Sequence, residues 1–98
     1  MNDNARIIET VGEPAVLEGL AEEGAELPKA ALKLARIKRG ENPTPVPLET
    51  AELNFIEEVG DVHCYLETLA QLYPIRYADL LGMVELKRAR FVRRLEGE

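Results

Sequence analysis

Residues 14–39 read PAVLEGLAEEGAELPKAALKLARIKR. Val16, Leu20, Gly24, Leu27, Ala31 and Leu34 recur at spacings of three and four, the period of one helix face. Pro14 suits a first helical turn, where its missing N–H is no loss. Gly40, followed by prolines at 43, 45 and 47, is a stop signal. The spacing predicts a long helix over 14–39. Pro28 lies inside it and predicts a kink or a weakened hydrogen bond near Gly24.

Beyond this helix, GENPTPVP (residues 40–47) reads as an extended connector. A second helical pattern runs over 48–73, with Leu48, Phe55, Val59, Val62, Leu66 and Leu69 as its apolar stripe. Pro74 separates it from a third, over 76–96, which contributes Tyr77, Leu80, Leu81, Val84, Phe91 and Leu95. On the N-terminal side a short helix is expected over 3–11, punctuated by Gly12-Glu13-Pro14. No segment sustains the two-residue alternation of a strand. The expected fold is all-α: one domain over 1–98, with long antiparallel helices forming a four-helix-bundle-type core. Two long helices cannot shield both sides of their stripes. The core is therefore expected to be completed by oligomerisation, as a homodimer or homotetramer.

Composition narrows the function classes. Apolar residues make up 46% and charged residues 31%, ordinary for a folded domain. Aromatics are 5%, too few for a stacking platform for single-stranded nucleic acid. The 18 acidic residues against 12 basic give a net charge of −6, which disfavours nucleic acid as a partner. A single cysteine, Cys64, excludes a disulfide framework and a thiolate zinc site within one chain. No apolar run reaches the length of a membrane span, and the first residues lack a basic, apolar secretion signal. A cytoplasmic location without a membrane partner is the expectation.

The carboxylates carry the functional signal. With about 100° per residue, Glu23 falls inside the apolar half of its helix and Glu26 at the edge of that half. Glu58 falls between Ala51, Leu69 and Tyr65 at the margin of the next stripe, with Asp61 and Asn54 a step further out. Each long helix thus carries an i, i+3 acidic pair beside its core face. If the helices pack together, four carboxylates converge, and like charges that close call for a cation. Hard oxygen ligands without His or Cys suit Mg²⁺ or Mn²⁺, which accept substrate phosphates.

Glu22-Glu23-Gly24-Ala25-Glu26 is an EExxE motif, and Glu58-Val59-Gly60-Asp61 is an ExxD motif. With their contexts, EEGAELPKAALK (22–33) and IEEVGDV (56–62), they resemble the MazG-like nucleoside triphosphate pyrophosphohydrolases, an all-α superfamily. The resemblance spans roughly residues 10–73. It departs in a long gap between the motifs and in Pro28. It implies a Mg²⁺-dependent cleavage of a (deoxy)nucleoside triphosphate to the monophosphate and pyrophosphate by metal-activated water. It implies Glu23, Glu26, Glu58 and Asp61 as metal ligands, with Glu22 and Glu23 as the catalytic carboxylates and Glu22 acting as orienter or helper base. Lys33 matches the family's lysine and is a candidate for a phosphate oxygen. Lys87 and Arg94, from the basic run 87–94, are candidates for the triphosphate, and Asn54 for base or sugar.

His63, on the other side of its helix from Asp61, reads as a packed or interface histidine, and Tyr65 as core packing. Cys64 points away from the stripe, with no base to activate it. Two alternatives remain: a phosphoribosyl-ATP pyrophosphatase-type activity, and a non-catalytic helical interaction module.

Overall fold

The structure, a computed structural model, describes residues 2–41, 46–73 and 76–97, with Tyr77 described by its backbone alone. Four helices follow in order: α1 (Asp3–Val11), α2 (Glu13–Arg39), α3 (Leu48–Leu69) and α4 (Tyr77–Leu95). The described residues contain no strand. The fold is all-α, as expected. Residues 42–45 of the expected connector over 40–47, the break at Pro74 and the Tyr77 side chain fall outside the described residues.

Local chemistry sets the helix ends. The Asn2 side chain caps α1 by accepting from the Ala5 N–H at 2.7 Å. Gly12, at φ +88°, joins α1 to α2 in a conformation closed to L side chains. Pro14 occupies the first turn of α2. Gly40 closes α2 at φ +73°, its N–H on the Ile37 carbonyl at 3.0 Å, while the Glu41 N–H reaches the Arg36 carbonyl at 2.9 Å. This pair of bonds is a Schellman closure. α2 runs unbroken through Pro28. The carbonyl that faces the proline ring belongs to Gly24, a residue without a side chain to crowd it.

α3 ends at Leu69, four residues short of the expected 73. Its last turn tightens instead, with the Gln71 N–H on Thr68 and the Leu72 N–H on Leu69 at 3.1 and 2.9 Å. Tyr73 precedes a proline in sequence, which disfavours the helical conformation there.

α2 and α3 form an antiparallel hairpin. Gly19 meets Tyr65, Glu23 meets Asp61 and Glu58, and Lys38 approaches Glu52 at 4.0 Å. α1 lies across the end of the pair, tied by the Thr68 hydroxyl donating to Asn4 Oδ1 at 2.9 Å. Val16, Gly19, Ala51, Thr68 and Leu69 are buried. This is a thin core. α4 packs against none of the other helices among the described residues.

The face of α3 that meets α2 is rotated from the centre of its apolar stripe. Ala51, Phe55, Glu58, Val62, Tyr65 and Leu69 are buried or half-buried, whereas Leu48, Val59 and Leu66 of the same stripe are exposed. On α2, Ala31 is exposed, and Glu23, Ala30 and Ile37 share the covered side with Val16, Leu20, Leu27 and Leu34. An apolar stripe wider than one helix contact leaves part of itself open.

Candidate metal centre

The rotation places a carboxylate in the middle of the helix pair. Glu58 was expected at the margin of the packed face and lies within it, two turns from Ala51 on one side and two turns from Tyr65 on the other. Opposite stands Glu23 from α2. Asp61, one turn on from Glu58, completes the group: Glu23, Glu58 and Asp61 each offer a carboxylate oxygen, and these oxygens lie within 4.8 Å of one another. All three are half-buried.

The electrostatics of the group are unfavourable for three free anions. Loss of water around Glu23, then the charges of Asp61 and Glu58, raise its pKa above the ordinary 4.5, and a proton on Glu23 can be shared with either neighbour. Among the described residues, Glu58 Oε2 is buried with no hydrogen-bond partner. A buried carboxylate oxygen without a donor is costly unless a proton or a cation meets it. The donor set is oxygen throughout, with neither imidazole nor thiolate, and Mg²⁺ or Mn²⁺ is the fitting class of ion.

The other expected site residues fall in different places. Glu26 is exposed and pairs with Lys29, Oε1 to Nζ at 3.2 Å, outside the triad. It nonetheless lines a cleft of about 190 Å³ beside the triad, together with Lys29, Ala30, Lys33, Ala51, Asn54 and Glu58. Lys33 and Asn54 are therefore brought to the same cleft as a triad carboxylate. Glu22 is exposed and belongs to neither the triad nor this cleft. Lys87 and Arg94 are exposed on α4 and are not brought to the cleft.

A second cleft of about 270 Å³ opens on the other flank, lined by Ile7, Glu23, Asp61, Cys64, Tyr65 and Thr68. The triad stands between the two. Lys29, Ile7 and Thr68 were not singled out from sequence. Lys29 had a local signal, its i+3 spacing from Glu26. The other two depend on how α1 lies over the hairpin, which no spacing reveals. Cys64 is exposed and borders the second cleft. His63 is exposed rather than packed, with Nε2 3.1 Å from Glu67 Oε1. Tyr65 is half-buried and packs over Gly19, in keeping with a core role.

Comparisons of the chain with protein-family models, with curated proteins and with solved structures return no match. No helix among the described residues is long and apolar enough to cross a membrane.

Proposed function

We propose that this chain is a Mg²⁺-dependent nucleotide pyrophosphohydrolase, with Mn²⁺ as a substitute ion, converting (deoxy)nucleoside triphosphates to monophosphates and pyrophosphate. One observation supports the metal half of the reading: Glu23, Glu58 and Asp61 converge within 4.8 Å of one another, and one of them, Glu58, carries a buried oxygen without a hydrogen-bond partner among the described residues. The nucleotide half rests on the resemblance of the EExxE and ExxD motifs to the MazG-like enzymes.

Glu23, Glu58 and Asp61 would hold the ion, and Glu26 would join them by leaving Lys29. When bound, such an ion supplies positive charge for phosphate oxygens and lowers the pKa of water. The chain's own residues do the rest. Lys33 and Lys29 line the cleft beside Glu58 and offer ammonium donors to phosphate oxygens. Asn54 offers an amide to sugar or base from the facing helix. Glu22, one residue before Glu23, would orient water or take its proton. In a homodimer or homotetramer the exposed Lys87 and Arg94 on α4 would serve the contact between copies rather than the triphosphate. We place the protein in the cytoplasm, where Mg²⁺ and nucleotides are abundant.

The test is pyrophosphate release from a panel of ribo- and deoxyribonucleoside triphosphates, with Mg²⁺ and with chelator. Release should require the metal and should fall at least 100-fold in Glu23→Ala and Glu58→Ala. A folded, metal-binding protein that releases nothing from any nucleotide would sink the substrate assignment and turn attention to phosphoribosyl-ATP.

A further inference from the structure

Among the described residues, α4 packs against no other helix. Every side chain described on it is exposed, including Leu80, Leu81, Val84, Phe91 and Leu95, with Phe91 at 60% and Leu95 at 72%. These five lie on one side of the helix, with Arg88 among them and Lys87, Arg90 and Arg94 along one border. α4 carries five basic residues against two acidic.

α3 has the complementary surface. Its face turned away from α2 exposes Leu53 at 66% and Ile56 at 65%, with Leu48, Val59 and Leu66 beside them. Glu49 and Glu67 stand among these apolar residues, Glu52 lies at the border with α2 near Lys38, and α3 as a whole has six carboxylates and no Lys or Arg. One helix is apolar with a basic border, and the other is apolar with an acidic border.

We infer that α4 of one copy docks on the outer face of α3 of a second copy, reciprocally, so that two chains exchange their last helix. Three observations favour a second copy as the occupant. First, the chain's own α3 is not covered by its own α4, and the radius of gyration is 17.2 Å against about 13 Å for a compact chain of this length. Second, two chains of net charge −6 repel overall, and the basic α4 on the acidic α3 is the pairing that reverses this locally. Third, the area suffices. α4 is about 28 Å long, and two such contacts related by a two-fold axis bury on the order of 1,000 Å² or more, in the range of a specific interface. The inference rests on α3 and α4 and not on the metal centre: a monomer with a working metal site defeats it and leaves that centre standing.

The test uses the full chain and light scattering coupled to size exclusion, at tens of micromolar. The wild type should run at twice the chain mass of 10.9 kDa, or at a multiple of that pair. Two variants are then made, Lys87→Glu/Arg90→Glu/Arg94→Glu on α4 and Glu49→Lys/Glu67→Lys on α3. Each alone should run as a monomer with unchanged helix content. Mixed in equal amounts they should recover the double mass, because each acidic face then meets a basic one. A monomeric wild type, a dimer that survives the α3 reversal, or a mixture that stays monomeric each overturns the exchange. So does a monomeric wild type that binds phosphatidylserine vesicles through α4, which would assign the basic amphipathic helix to a lipid surface instead.

Discussion

The ring of Tyr65 on α3 lies against the backbone of Gly19 on α2, so close that a Cβ at position 19 would fall 2.6 Å from the Tyr65 hydroxyl oxygen and closer still to the ring. This contact sets how near α2 and α3 come, one helical turn from Glu23 and one from Asp61. The carboxylate triad depends on that approach.

Gly19→Ala should therefore destabilise the protein by about 1–3 kcal/mol through overpacking. The sign is informative, because Gly to Ala inside an unobstructed helix stabilises by about 0.5–1 kcal/mol. Urea unfolding of Gly19→Ala, and of Gly19→Ala combined with Tyr65→Leu, checks it. The second change should return most of the loss.

Glu58→Gln should stabilise the metal-free protein while removing its response to Mg²⁺. Neutralising one of three converging carboxylates relieves repulsion and gives the buried position a donor. In the wild type, saturating Mg²⁺ should raise the melting temperature by mass action, worth about 2.7 kcal/mol at a hundredfold excess over Kd. Thermal scans with Mg²⁺ and with chelator read both effects, and Glu57→Gln on the exposed side of α3 serves as the control.

The pH dependence follows from Glu23. Its folded pKa is raised above the ordinary 4.5 by burial and by Asp61 and Glu58. Below the ordinary value the carboxyl is protonated in both folded and unfolded chains and carries no penalty. As pH rises through the raised value, the unfolded chain ionises first, so unfolding releases a proton and stability falls. The melting temperature of metal-free wild type, taken relative to Glu23→Gln, should drop as pH climbs from about 4.5 toward neutrality. Mg²⁺ should flatten the difference. A difference that is constant with pH would show that the three charges do not interact.

Lys29→Ala should leave stability within about 0.5 kcal/mol of wild type, since its pair with Glu26 is exposed. The same change frees Glu26 and removes a cation from the cleft, and should tighten Mg²⁺ binding roughly two- to fivefold. Calorimetric titration reads the affinity. Unchanged affinity would mean that Glu26 does not join the site.

The helices were legible because glycine and proline punctuate them. Gly12, Pro14 and Gly40 fix ends through backbone conformation, which sequence carries directly. Glu23, Glu58 and Asp61 were legible as acidic residues beside apolar stripes. Which half of a stripe would be covered was not: Val59 and Leu66 repeat with the same period as Val62 and Leu69, and only the packing of a second helix distinguishes them. Glu26 illustrates a similar degeneracy. It lies three residues from both Glu23 and Lys29, and in this structure it pairs with the lysine. The fit of Tyr65 over Gly19 depends on the register between two helices and leaves no trace in either one.

We propose that Glu23, Glu58 and Asp61 hold one divalent cation between α2 and α3. Electron paramagnetic resonance of Mn²⁺ titrated into the metal-free protein tests it most directly, since bound Mn²⁺ loses its free-ion signal. One saturable site per chain, displaced by Mg²⁺ and lost in Glu58→Gln and Asp61→Asn but kept in Glu57→Gln, is the expected result. Binding that is absent, or that survives both substitutions, would contradict the claim.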